Sequence, residues 1–97
     1  MRKVIWLAEA VDDLVRLREF IGDKNRKAAQ RAAITIKNMV KVLENYPDII
    51  HPIENLPDFH DLIVPFGSGG YIIRYRIEKD MVFIVGIRHS KELGFKP

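Results

Sequence analysis

The side chains best suited to chemistry lie in the last third of the chain. In an extended Tyr71–Glu78, Tyr71, Ile73, Tyr75 and Ile77 share one face; Ile72, Arg74, Arg76 and Glu78 share the other. Arg74 and Arg76 then point the same way, and their planar forks suit phosphate or carboxylate. On the next strand, Met81, Phe83, Val85 and Ile87 alternate with Val82, Ile84, Gly86 and Arg88. Arg74, Arg76, Arg88, His89 and Lys91 can thus converge at one end of a sheet and grip an anionic target. The competing reading is cross-strand ion pairing of Arg74 or Arg76 with Glu78 or Asp61.

His89 stands between Arg88 and a nearby Lys91, whose charges disfavour imidazolium. A neutral ring acting as general base is one reading; an exposed bystander is the other. His51 and His60 lack the spacing of paired metal ligands, so no metal site is expected. Asp12 and Asp13, adjacent on a helix, point in different directions and read as solvated charges. No phosphate-loop, dinucleotide-binding or nucleophile-elbow motif is present. Gly67-Ser68-Gly69-Gly70 has no following helix to hold a phosphate and reads as a hairpin turn. No cofactor and no catalytic residue is assigned.

Certain elements must position these groups. Val4-Ile5-Trp6-Leu7 is a short apolar run fit for a buried strand. Leu7, Val11, Leu14, Val15 and Ile21 then recur at helical spacing, with Leu17 and Phe20 widening the stripe and Gly22 ending it. Asp23 or Asn25 can cap a second helix, whose stripe is Ala29, Ala32, Ala33, Ile36, Met39, Val40 and Leu43. Pro47 stops that helix. Joined by about three residues, the two should pack as an antiparallel hairpin. A loop follows as far as Phe59, and then the period becomes two. His60–Phe66, Tyr71–Glu78 and Met81–Arg88 read as a three-stranded meander, with Pro65 at an edge or strand end. The expected fold class is α+β: one strand, a helical hairpin, then the meander, in a single domain over residues 1–97.

Composition narrows the function. The 97 residues are 47% hydrophobic and 30% charged, with nine aromatics, which argues against a disordered chain. Charges interrupt every apolar stretch, so neither a membrane span nor a secretion signal is expected. With no cysteine, disulfides, thiol nucleophiles and cysteine-held metals are excluded, which fits a reducing cytoplasm. The formal charge is +3, and the excess is local. Lys24, Arg26, Lys27, Arg31, Lys37 and Lys41 face only Glu44 in the second helix region. That is either a solvated helix face or an attractor for an acidic partner.

Taken in order, several segments resemble toxins of the ParE/RelE superfamily of bacterial toxin–antitoxin modules. These are Trp6-Leu7-Ala8, Asp13-Leu14, Phe20-Ile21 before Gly22, Asn25, and Ala28-Ala29. Leu62-Ile63-Val64-Pro65-Phe66-Gly67 and Gly70-Tyr71-Ile72-Ile73-Arg74-Tyr75-Arg76 continue the series. The ending, Ile87-Arg88-His89-Ser90-Lys91-Glu92-Leu93-Gly94-Phe95, resembles the ParE branch, also called plasmid-stabilisation proteins. That resemblance implies a protein that binds DNA gyrase and traps it on cleaved DNA, neutralised by a cognate antitoxin. The RelE branch implies a ribosome-dependent messenger-RNA endonuclease instead. In that branch an arginine follows the strand tyrosine and a terminal aromatic, often tyrosine, moves a proton. Here those places hold Ile72 and Phe95, and phenylalanine has no proton to give. A degenerate, non-toxic domain that only binds antitoxin is a further reading.

Overall fold

A switch of hydrophobic period at Leu7, and another at His60, sets the helical layer apart from the strands of the sheet. The computed structural model describes residues 2–22, 25–50, 52–67 and 69–90. Strand β1 (Lys3–Trp6) leads into helices α1 (Ala8–Gly22) and α2 (Arg26–Val42). A 3-10 turn at Pro47–Ile49 precedes β2 (Pro52–Ile53), β3 (Leu56–Phe66), β4 (Gly69–Glu78) and β5 (Met81–His89). The sheet order is β1-β5-β4-β3-β2, with β1 parallel to β5 and the other pairs antiparallel.

The α+β class and the order of strand, helical hairpin and meander are as the sequence indicates. Three details differ. The proline-containing segment is not all loop: β2 pairs with β3, which begins at Leu56 rather than His60. Pro52 and Pro57 are tolerated because this is the sheet's edge, where an absent N–H breaks no central ladder. Second, α2 ends at Val42 and winds down through Leu43–Asn45, ahead of Pro47. Third, the buried face of α1 centres on Ala10, Leu14 and Leu17, whereas Val11 and Val15 are nearly half exposed. Asn25 is the N-cap of α2, its Oδ1 accepting from Ala28 N–H at 3.0 Å. Asp23 lies outside the described residues.

The core sits between the hairpin and one sheet face. Ala10, Leu17, Ala32, Ile36, Val40 and Leu43 meet Leu62, Val64, Tyr71, Ile73, Tyr75, Val82, Ile84 and Ile87. The alanines of α2 leave room for Tyr71, which reaches between the helices beside Leu14, Leu17, Ala29 and Ala33. Gly70 is fixed by closeness rather than conformation: a Cβ there would stand 2.7 Å from the Val64 carbonyl oxygen.

Tyr75 ties the sheet to the segment after α2. Fully buried, it donates to the Pro47 carbonyl at 2.8 Å and stacks on His60 at 5.0 Å. His60 Nδ1 lies 2.7 Å from the Ile50 carbonyl, which only accepts, so that nitrogen carries the proton. Burial, helped by the Asp48 carboxylate, pushes the Tyr75 phenol up to about 12. The native protein therefore keeps this proton at pH values where the unfolded chain, titrating near 10.0, has lost it. Stability should be insensitive to this group below pH 10 and fall by about 2 kcal/mol between there and pH 12. Burial also raises the Tyr71 phenol, which adds to the same decline. Urea midpoints measured upward from about pH 8, within the flat region, should show a shallower alkaline loss in Tyr75→Phe. An equally steep loss in that variant would assign the dependence elsewhere.

Candidate functional site

Both helices cover the face carrying Tyr71, Ile73, Tyr75 and Ile84, and no described element covers the opposite one. On that open face Asp61 lies across from Arg74, Phe59 from Arg76, and Ile63 from Ile72. The β5 side continues it with Ile72 opposite Arg88 and Arg76 opposite Phe83. Ile63 is 67% exposed. The result is a mixed apolar and cationic surface.

The arginines are already engaged. Arg74 Nε donates to Asp61 Oδ1 at 2.9 Å and its Nη2 to Oδ2 at 3.1 Å, a two-bond fork across neighbouring strands. Arg76 pairs with Glu78 at 3.3 Å and lays its guanidinium over the Phe83 ring, 5.0 Å from the centroid. Cross-strand ion pairing, one of the two readings of the sequence, therefore holds for Arg74. For Arg76 the partner is on its own strand. Held in this way, the two forks are oriented and partly neutralised rather than open for phosphate.

A one-residue bulge decides the third arginine. Tyr75 pairs with Ile84 and Arg74 with Gly86, so the register shifts and Val85 is passed over. Strict alternation would group Arg88 with Val82 and Ile84, both of which are buried. The bulge instead buries Ile87 and places Arg88 opposite Ile72, on the face of Arg74 and Arg76. Its Nη1 donates to the His89 carbonyl at 3.4 Å. The same alternation turns His89 to the other face, opposite Tyr71, where the rings meet edge to face at 5.4 Å. The expected five-residue cluster is thus divided. Arg74, Arg76 and Arg88 share a face, His89 does not, and Lys91 lies outside the described residues.

Two features escape a reading by residue type. Asp13 is not a solvated charge: its Oδ2 accepts from Ile87 N–H at 2.9 Å, and its side chain is 18% exposed. The second is a groove of about 490 Å³ lined by Val4, Trp6, Val11, Leu14 and Val40, with Lys37, Lys41 and Glu44 also along its wall. A signal for the open face did exist in the sequence. Met81–Val85 is apolar on both faces, yet the chain has helices enough for only one layer. Among the described residues no cluster of three His, Cys, Asp or Glu could hold a metal ion, and no helix is long and apolar enough to cross a membrane.

A helical hairpin on one side of a five-stranded sheet, with a patterned second face, defines a small two-layer α+β domain. Residues 4–94 match the family of the ParE toxin of type II toxin-antitoxin system, parDE. Toxin RelE2 of Caulobacter vibrioides is 33% identical, the match covering 96% of this chain and all of that protein. Toxin RelE3 of the same organism is 34% identical, with 95% and 98% covered. Among solved structures, the chromosomal ParDE TA system from P. aeruginosa superposes with a TM-score of 0.76 at 18% identity, covering 92% of this chain and 96% of that one. The intact E. coli RelBE toxin-antitoxin complex gives 0.57 at 21% identity, covering 95% and 100%. The chain belongs to the ParE/RelE superfamily and is a type II toxin–antitoxin toxin.

Proposed function

We propose that this toxin arrests growth by binding, with DNA gyrase as its target and the open β4–β5 face as the contact surface. The observation that carries this reading is the state of the arginines. Asp61 grips Arg74, and Arg76 lies on Phe83 beside Glu78, among Ile63, Ile72 and Phe59. Oriented arginines in an apolar setting are the composition of a protein-binding core. Cutting RNA would need a base for the 2′-hydroxyl and an acid for the leaving oxygen close to the cations. His89 is turned to the other face, the Asp61 carboxylate is held by Arg74, and Phe95 carries no transferable proton.

Neutralisation is assigned to a second surface. The Val4–Trp6–Val11–Leu14 groove is apolar along its floor and carries Lys37 and Lys41, one helical turn apart. An antitoxin segment with apolar residues on one side and acidic residues on the other fits it. Toxin–antitoxin complexes among the structural neighbours support such a partner.

The target is tested with purified protein. Gyrase supercoiling should be inhibited and cleaved DNA should accumulate, while messenger RNA on translating ribosomes stays intact. His89→Ala should keep growth arrest, because losing its edge-to-face contact with Tyr71 costs about 1 kcal/mol, whereas losing a catalytic base costs about 10²- to 10⁴-fold in rate. Codon-position cuts mapped by primer extension, together with unaffected supercoiling, would transfer the assignment to the ribosome.

A further inference from the structure

The β5 bulge is held from outside the sheet. β1 stops at Trp6, opposite Ile84, and Leu7 N–H makes one more bond to the Ile84 carbonyl at 3.1 Å. Beyond that point no described strand lies beside the outer edge of β5; α1 packs there instead. Asp13 Oδ2 accepts from Ile87 N–H at 2.9 Å, while Arg16 Nη2 lies 3.4 Å from the Ile87 carbonyl and 3.6 Å from Asp13 Oδ1. Spaced i, i+3 on one helix face, the two side chains present an acceptor and a donor together, as a neighbouring strand would. A bulge takes main-chain groups out of the ladder, and a buried N–H without an acceptor is costly. Ile87 is fully buried, so an acceptor has to come from the helix.

We propose that Asp13 is a positioning residue for target binding: by accepting the Ile87 N–H it fixes the β5 bulge, and the bulge sets Arg88 on the open face. Without that one-residue shift, alternation from Ile84 would turn Ile87 outward and Arg88 toward the helices. The order of events runs from a carboxylate on α1, through one main-chain hydrogen bond, to the direction of a guanidinium on the far side of the sheet. This role rests on the reading of the open face as the target surface.

The test uses the purified full-length protein and graded induction in cells. In Asp13→Ala, amide hydrogen exchange at Ile87 should accelerate at least about tenfold more than at Ile73, which lies in the unbroken ladder. Growth arrest should then need about tenfold more inducer for the same effect. Asp13→Asn, which keeps an acceptor oxygen, should stay within about threefold of the parent in both measurements. In an Arg88→Ala background, adding Asp13→Ala should weaken arrest no further, because both act through the same group. Unchanged Ile87 exchange in Asp13→Ala would overturn the clamp. Faster exchange with losses that add independently in the double variant would make Asp13 a general stabiliser and overturn its link to Arg88. Full arrest by Arg88→Ala alone would overturn the target-face reading and this role together, and the exchange data distinguish that outcome from failure of the clamp.

Discussion

Arg76→Glu combined with Arg88→Glu is expected to abolish growth arrest while leaving the antitoxin complex intact. Both side chains sit on the open face, Arg76 across from Phe83 and Arg88 across from Ile72. Reversing a charge that meets an acidic partner loses the attraction and adds repulsion, about 2–5 kcal/mol where the pair is desolvated. Two such changes should weaken target binding by at least about 10²-fold. The fold should survive, because the surface contacts given up, among them the Arg76–Glu78 ion pair, the Arg76–Phe83 contact and the Arg88 hydrogen bond to the His89 carbonyl, are each about 1 kcal/mol or less. Lys37→Glu with Lys41→Glu is the complementary variant. It changes the groove behind β1 and should weaken the antitoxin complex about tenfold or more, leaving arrest unaffected. Size-exclusion chromatography with light scattering on the co-expressed pairs, run beside growth curves, separates the two surfaces. Loss of the complex in the arginine variant, or of arrest in the lysine variant, would show that the surfaces are wrongly assigned.

The largest stability loss is expected from Tyr75→Ala. The ring is fully buried between β3, β4 and the 3-10 turn, stacks on His60, and holds the Pro47 carbonyl. Truncating a buried aromatic costs about 3–5 kcal/mol through lost transfer energy and the cavity left behind. The orphaned Pro47 carbonyl adds about 1 kcal/mol or more. A domain of this size is stable by about 5–10 kcal/mol, so most of its margin disappears. Circular dichroism should show a collapsed thermal midpoint, and the hairpin of β2 and β3 should lose its anchorage to the 3-10 turn after α2. Tyr75→Phe keeps the ring and should lose only about 1 kcal/mol. If the alanine variant melted near the parent, the Tyr75–His60–Pro47 contacts would not be what ties the sheet to the segment after α2.

The sequence by itself determined the class of fold and the family. The helical stripe of α2 is dense enough that Ala29, Ala32, Ala33, Ile36, Val40 and Leu43 all prove buried. The alternation in Tyr71–Glu78 correctly separated Tyr71, Ile73 and Tyr75 from Arg74 and Arg76, because β4 is continuous and period two needs no tertiary information. What only the tertiary structure decided lies where that periodicity breaks or where distant elements meet. One bulged residue in β5 reverses the faces of Ile87, Arg88 and His89; Gly86 beside it is the residue type that marks a bulge, but strict alternation by itself does not place the shift. The acceptor for the Ile87 N–H stands over seventy positions earlier: the Asp13 carboxylate on α1, whose hydrogen bond to Ile87 spans 74 residues of chain. Local periodicity could not distinguish that carboxylate from the solvated Asp12 beside it. Likewise Val11 and Val15 belong to the apolar stripe of α1 by spacing, yet they stand exposed while Ala10 is buried. Helix rotation is set by what packs against the helix, and α1 turns the Asp13 side toward the edge of β5 that β1 leaves uncovered.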